Sequence, residues 1–268
     1  MEQEWRGNMI GGFGRKKEMD KIQNNVERQK MKERCEIFSI DITDVEQRLA
    51  SFGEDGMLVS RFNDDADGYK FKSVRYYDEQ GLHLNRFYYA MASLALKDVR
   101  NVFEIGTGDA LSTVLLSQLF PEARIFTIDL PQGDPRFKRW RTKSAPETMR
   151  GKQRQERLRA ENIITYEKNT FFLPSLDLPE RFDFILVDGA HKYPQLAGDI
   201  MFAYNRIVEG GFLFFHDYYE KKASSCHVKQ VVDWMAERIP ERVFTFPMGT
   251  PPKKLEQKMA LLVKGLNK

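Results

Sequence analysis

From residue 101 to the C-terminus, short runs rich in Ile, Val and Phe alternate with segments of helix length, and no other property of the chain limits its fold so strongly. The strand-like runs are 101–105 (NVFEI), 124–129 (RIFTID), 162–166 (NIITY), 182–188 (FDFILVD) and 211–216 (GFLFFH), with helical segments at 110–119, 194–207 and 226–238. Strands that are apolar along their whole length need cover on both faces, and parallel neighbours joined through a helix cross over right-handedly. The expected fold is α/β, with a doubly wound, mostly parallel sheet. Two more strand-like runs, 242–248 (RVFTFPM) and 258–264 (KMALLVK), flank the loop GTPPKK at hairpin spacing, which brings the expected strands to seven.

The N-terminal part reads differently. Residues 15–35 are good helix formers, but Met19, Ile22 and Val26 make only a thin apolar stripe, so a peripheral helix is expected. A second helix is expected from Thr43, with Glu46 completing a capping box and Val45, Leu49 and Phe52 on one face. Residues 56–78 carry no clear pattern, and 83–97 (HLNRFYYAMASLALK) read as a helix leading into the first strand. This divides the chain into a helical extension, 1–80, suited to a substrate lid or a dimer contact, and a main domain, 81–268. At 268 residues and 41% hydrophobic content, one large core is the natural solution. The formal charge of +3 demands no polyanionic partner, and two cysteines build no disulfide framework. With no signal-peptide-like start and no apolar run of membrane length, a cytoplasmic protein without a membrane span is expected.

The run FEIGTGDALS at 103–112 sets Glu104, Gly106 and Gly108 where a strand gives way to a helix, and glycine lets a ligand approach the backbone there. Asp129 closes the second strand at the place where such folds use a carboxylate to accept hydrogen bonds from ribose hydroxyls, which suits NAD or S-adenosylmethionine equally. Two residues separate these ligands: the dinucleotide pattern needs glycine where Leu111 stands, and it has no use for Glu104. The run resembles motif I of class I S-adenosylmethionine-dependent methyltransferases, with Ala110 in place of its third glycine. The resemblance implies a Rossmann-like sheet ending in an antiparallel hairpin. It also implies a cofactor site made of Glu104, Gly106, Thr107, Gly108, Asp129, Leu130 and Asp188, with Glu104 toward the methionine amino end and Asn169 and Thr170 beside the adenine.

Asp188 and His191 lie at the carboxyl end of the fourth strand, and His216 and Asp217 at the end of the fifth, the edge where open α/β sheets bind ligands. The stretch from Phe184 to Tyr218, with EGG at 209–211, resembles the macrocin-type and catechol-type small-molecule O-methyltransferases. By that resemblance Asp188, His216 and Asp217 hold a divalent cation, expected to be Mg²⁺, although His216 stands where the family usually has Asp. His191 occupies the place of the base that deprotonates the acceptor. Carboxylates favour hard cations, whereas an imidazole ligand admits softer metals.

Between Arg136 and Arg159 there are 10 Lys or Arg against Glu147 and Glu156. Such runs are usually solvated helix faces, but Arg136, Lys138, Arg139 and Arg141 could attract an anionic acceptor, with Trp140 as a stacking face. The expected function is methyl transfer from S-adenosylmethionine to a hydroxyl of a small-molecule acceptor, metal-assisted. The rivals are an RNA methyltransferase using segment 136–159 and a non-catalytic S-adenosylmethionine-binding protein. Asp188-Gly-Ala-His191 does not match the run that base-amino methyltransferases carry after the fourth strand, which leaves nucleic acid as the weaker partner. A homo-oligomer is compatible with all three readings.

Overall fold

A computed structural model describes residues 29, 31–51, 84–131, 134–135, 149–219, 226–247 and 257–268. Apolar strands of the expected lengths do build one sheet: β1 (Asn101–Ile105), β2 (Arg124–Asp129), β3 (Ile163–Glu167), β4 (Phe182–Val187), β5 (Ile207–Tyr219), β6 (Glu241–Pro247) and β7 (Gln257–Asn267). The seven strands lie in the order β3-β2-β1-β4-β5-β7-β6. The first five are parallel, and β7 runs antiparallel to both β5 and β6. The order reverses between β1 and β4, whose register pairs Val102 with Phe184 and Ile105 with Val187. Loops leaving adjacent strands there turn to opposite sides of the sheet, so a crevice opens at that point.

Helices cover both faces. On one side lie α1 (31–37), α2 (Ile42–Ala50), α3 (Leu84–Ala95) and α4 (Leu111–Leu119), packed through Tyr89, Leu116 and Val45 onto Phe184, Phe214 and Phe246. On the other lie α6 (Gln195–Arg206) and α7 (Val228–Ala236), packed through Ile200 and Val232 onto Ile105, Ile185 and Leu213. Between β2 and β3, α5 (Met149–Arg157) precedes the third strand.

Three local expectations change. The segment at 31–37 is not peripheral, because Met31 and Cys35, one turn apart, are buried and Phe38 packs its ring 5.1 Å from Phe212. Met19, Ile22, Val26 and Phe52 lie outside the described residues. The cap of α2 is Asp41, whose carboxylate accepts from the backbone N–H and the hydroxyl of Thr43, so the helix starts one residue before the expected capping box. Strand β5 begins at Ile207, immediately after α6, with a register shift between Phe182 and Phe184 on β4. The described part of the N-terminal extension therefore shares the core of the main domain. Both cysteines are buried, and they form no disulfide among the described residues. Among the described residues no helix is long and apolar enough to cross a membrane.

Candidate active site at the sheet switch point

The turn after β1 is shaped by close backbone approach. Gly106 has φ +102°, and a Cβ there would come within 2.2 Å of the Asp188 carbonyl oxygen. Two strand-continuing hydrogen bonds pin the neighbourhood, from Gly106 N–H to Ile128 O and from Asp188 N–H to Ile105 O, each 2.8 Å. Asp129 takes the turn from the side: one carboxylate oxygen accepts from Gly108 N–H at 2.9 Å and the other from Leu130 N–H at 2.8 Å. Thr107 is buried and shares a 2.7 Å hydroxyl contact with Thr127.

Glu104 is almost fully buried. Its Oε2 accepts from the hydroxyls of Thr113 and Thr127 at 2.5 and 2.6 Å, while its Oε1 has no hydrogen-bond partner among the described residues. Burial pushes its carboxyl up to about 8, opposed by the two threonine hydroxyls. A folded-state pKa above the unfolded one means stability that is whole in acid and lost as pH rises from about 4.5 to about 8. Melting temperatures across that range should fall less with pH in Glu104→Gln than in the unmutated protein; parallel curves would show that Glu104 does not carry this linkage.

Two of the residues expected beside the adenine lie at the far end of β3. The Asn169 carboxamide oxygen accepts from Phe171 N–H at 3.0 Å and caps the 3₁₀ turn Thr170–Ser175. The Thr170 hydroxyl meets the Gln195 side chain.

The second cluster sits where β4 and β5 end. In β5 the register with β7 shifts between Phe215 and Tyr218, and Asp217 has φ +57°. Strict alternation would send His216 and Asp217 to opposite faces, but this bulge turns both toward β4. His216 Nδ1 lies 3.2 Å from Asp188 Oδ1 and 3.1 Å from Asp217 Oδ1. His191 Nε2 lies 3.2 Å from Asp217 Oδ2 and 3.8 Å from Asp188 Oδ1. Burial opposes ionisation of Asp188, but the charge of His216 and the nearness of both imidazoles outweigh it and hold the carboxyl below its ordinary range. Burial likewise opposes Asp217, and its hydrogen bond with His216 outweighs it. The Asp188 carboxylate raises His191 against the cost of its burial, and Asp217 adds to it. For His216 burial acts downward, and the two carboxylates reverse it. The result is two carboxylates and two imidazoles of mutually reinforced charge, gathered beside the glycine turn. Donor atoms of Asp188, His191 and Asp217 lie within 4.8 Å of one another and could hold a metal ion.

Sequence reading missed Arg154. It sits in the basic run, yet its guanidinium is buried, donates from Nε to Gly108 O at 3.0 Å and lies 3.8 Å from Glu167. Arg157 donates to Asp109 O at 2.6 Å. No spacing rule separates these arginines from the solvated ones beside them; only the packing of α5 against the turn does. Arg136, Lys138, Arg139, Trp140 and Arg141 lie outside the described residues.

Residues 103–218 match a family model described as a methyltransferase domain. No curated protein sequence matches the chain. Among solved structures it is similar to the O-methyltransferase TomG from Streptomyces achromogenes, involved in tomaymycin synthesis and solved in complex with S-adenosylmethionine. The identity is 18%, the match covers 83% of this chain and 96% of that one, and the TM-score is 0.54. It is also similar to cofactor-bound Rv0187 from MTB, at 18% identity over 72% of this chain and 83% of that one, with a TM-score of 0.51. The family match begins one residue before Glu104 and ends one residue after Asp217. The crevice that β1 and β4 open at the switch point thus lies within the residues that match a methyltransferase domain, and the chain has the fold of these methyltransferase-like structures.

Proposed function

We propose that the protein transfers the methyl group of S-adenosylmethionine to a hydroxyl of a small-molecule acceptor, with a divalent cation at the end of β4 and β5. The observation that carries this reading is the bulge in β5, which brings His216 and Asp217 onto Asp188 and His191 beside the glycine turn. Strain at a non-glycine residue with positive φ is kept where the surrounding structure holds it for function.

The residues suit the cofactor, since the buried Glu104 Oε1 awaits a donor and Asp129 already faces the turn. In this reading Gly106, Thr107, Gly108, Leu130 and the main chain at Asp188 line the cofactor, and Asn169 with Thr170 borders the adenine. The cluster suits a cation equally: Asp188 and Asp217 supply hard oxygen donors, and His216, between them, a nitrogen. When bound, a cation lowers the pKa of an acceptor hydroxyl. The protein's own part is to orient the acceptor oxygen in line with the methyl group and to take its proton at His191, the more exposed of the two imidazoles. A second assignment, with His191 as ligand and His216 behind it, is favoured by the convergence of Asp188, His191 and Asp217. Arg154 and Arg157 spend their charge on the glycine turn, which lessens what segment 136–159 offers to RNA.

Turnover of a catechol-type or sugar-hydroxyl acceptor should collapse in EDTA and return with Mg²⁺ or a softer divalent ion. Asp188→Asn should abolish that stimulation. Full turnover in EDTA would remove the cation from the reading.

A further inference from the structure

We infer that Tyr89 is a cofactor-recognition residue: its hydroxyl and the open first turn of α4 receive the carboxylate of the cofactor's methionine end, while Glu104 receives the ammonium. This rests on the cofactor reading above and adds a residue from the helix that precedes the domain's first strand.

Tyr89 is fully buried, with its ring edge-on to Phe184 at 6.0 Å and to Phe214 at 5.8 Å. Phenylalanine would make the same ring contacts. The hydroxyl stands close to the side chains of Asn85 and Ser112 but makes no well-formed hydrogen bond among the described residues. A buried hydroxyl left unmatched is destabilising, and native structures keep few of them. Its environment is acidic, since Asp188 and Glu104 add to burial in raising the phenol, so it is held as a donor.

The second deficit is an acceptor. Alternation along β1 and β4 places Glu104 and Asp188 on the same sheet face as Val102, Phe184 and Leu186, the face against which Tyr89 packs. There Glu104 Oε1 is buried with no donor among the described residues. The third feature is the N-terminus of α4, whose cap is Ala110 at φ +60° with no side chain able to close the first turn. Ser112, the neighbour of the Tyr89 hydroxyl, belongs to that turn. Free backbone N–H groups and the helix dipole favour an anion at such an end.

The unmatched donor, the unmatched carboxylate oxygen and the uncapped helix end are neighbours, since Tyr89 stands beside Ser112 and Glu104 accepts from Thr113, both in the first turn of α4. The ligand chemistry that matches them together is an α-amino-acid zwitterion. The nucleoside end is held elsewhere, by Asp129, so the two ends of the cofactor are recognised independently.

Calorimetry with two ligands tests this: S-adenosylhomocysteine, which has the amino-acid end, and 5′-methylthioadenosine, which lacks it. Tyr89→Phe should weaken S-adenosylhomocysteine about 10-fold or more, the scale of a hydrogen bond to a charged group, and leave 5′-methylthioadenosine unchanged. Glu104→Gln should show the same selectivity. Equal losses for both ligands would mean that the substitution only loosens the turn, and an unchanged S-adenosylhomocysteine affinity would remove Tyr89 from recognition; either result overturns the inference. If the unmutated protein binds neither ligand, the cofactor reading itself falls, and the inference with it.

Discussion

His191→Ala should lower turnover by about 10²- to 10⁴-fold, the usual contribution of a positioned acid or base, while S-adenosylhomocysteine binds as before. The imidazole lies on the loop after β4, reaches Asp217 at 3.2 Å, and is raised in basicity by the carboxylates of Asp188 and Asp217. The glycine turn is held by Asp129, which accepts from Gly108 N–H and Leu130 N–H, and these bonds do not involve the imidazole. Titrating the variant with Mg²⁺ separates the two assignments of the histidines. Unchanged cation affinity with lost turnover marks His191 as the base, and a matched fall in both marks it as a ligand. Turnover within a few-fold of the unmutated enzyme would exclude both roles.

Gly106→Ala should abolish cofactor binding and lower the melting temperature sharply. The added methyl carbon would lie 2.2 Å from Asp188 O, 2.5 Å from Asp188 C and 2.8 Å from Gly189 Cα, all main-chain atoms that cannot swing away. The conformation at φ +102° is also one that a side chain resists. Overpacking and backbone strain each cost on the order of 1–3 kcal/mol, and here they act together at the point where β1 and β4 leave the sheet. Relief requires the Asp188 main chain to move, which carries the cluster of carboxylates with it. Gly198 in α6 is the control, because a Cβ there meets nothing within 4 Å and alanine is the better helix former. Normal S-adenosylhomocysteine affinity in Gly106→Ala would mean that the turn is not the cofactor site.

Much of this molecule was legible before folding. The runs at 101–105, 124–129 and 182–188 became β1, β2 and β4 within a residue, because a strand buried on both faces is written as continuous Val, Ile and Phe. The motif residues Glu104, Gly106 and Asp129 meet at one turn because they lie at the ends of adjacent parallel strands, which chain order and the crossover rule already imply. Asp188, His191, His216 and Asp217 were legible as residue types at the correct sheet edge.

Other features carried no local signal. The cap of α2 went to Asp41 and not Thr43, since either side chain suits a cap and the packing of Ile42 against the core chose between them. The bulge in β5 is invisible in FLFFHDY, whose pattern reads as a plain strand, yet at it His216 comes to Asp188 and Asp217 to His191. Arg154 looked like any other charge in a basic run.

Sequence alone therefore determined the layer architecture, the strand order's switch point and the chemical inventory at its edge, because periodicity and strand-end position are properties of a segment and its neighbours. Only the tertiary structure decided which imidazole faces which carboxylate, that Arg154 turns inward to the Gly108 carbonyl, and that Tyr89 and Glu104 are left buried with unmatched atoms. Those outcomes depend on contacts between segments far apart in the chain, where burial and hydrogen-bond geometry, and not residue type, set what each side chain does.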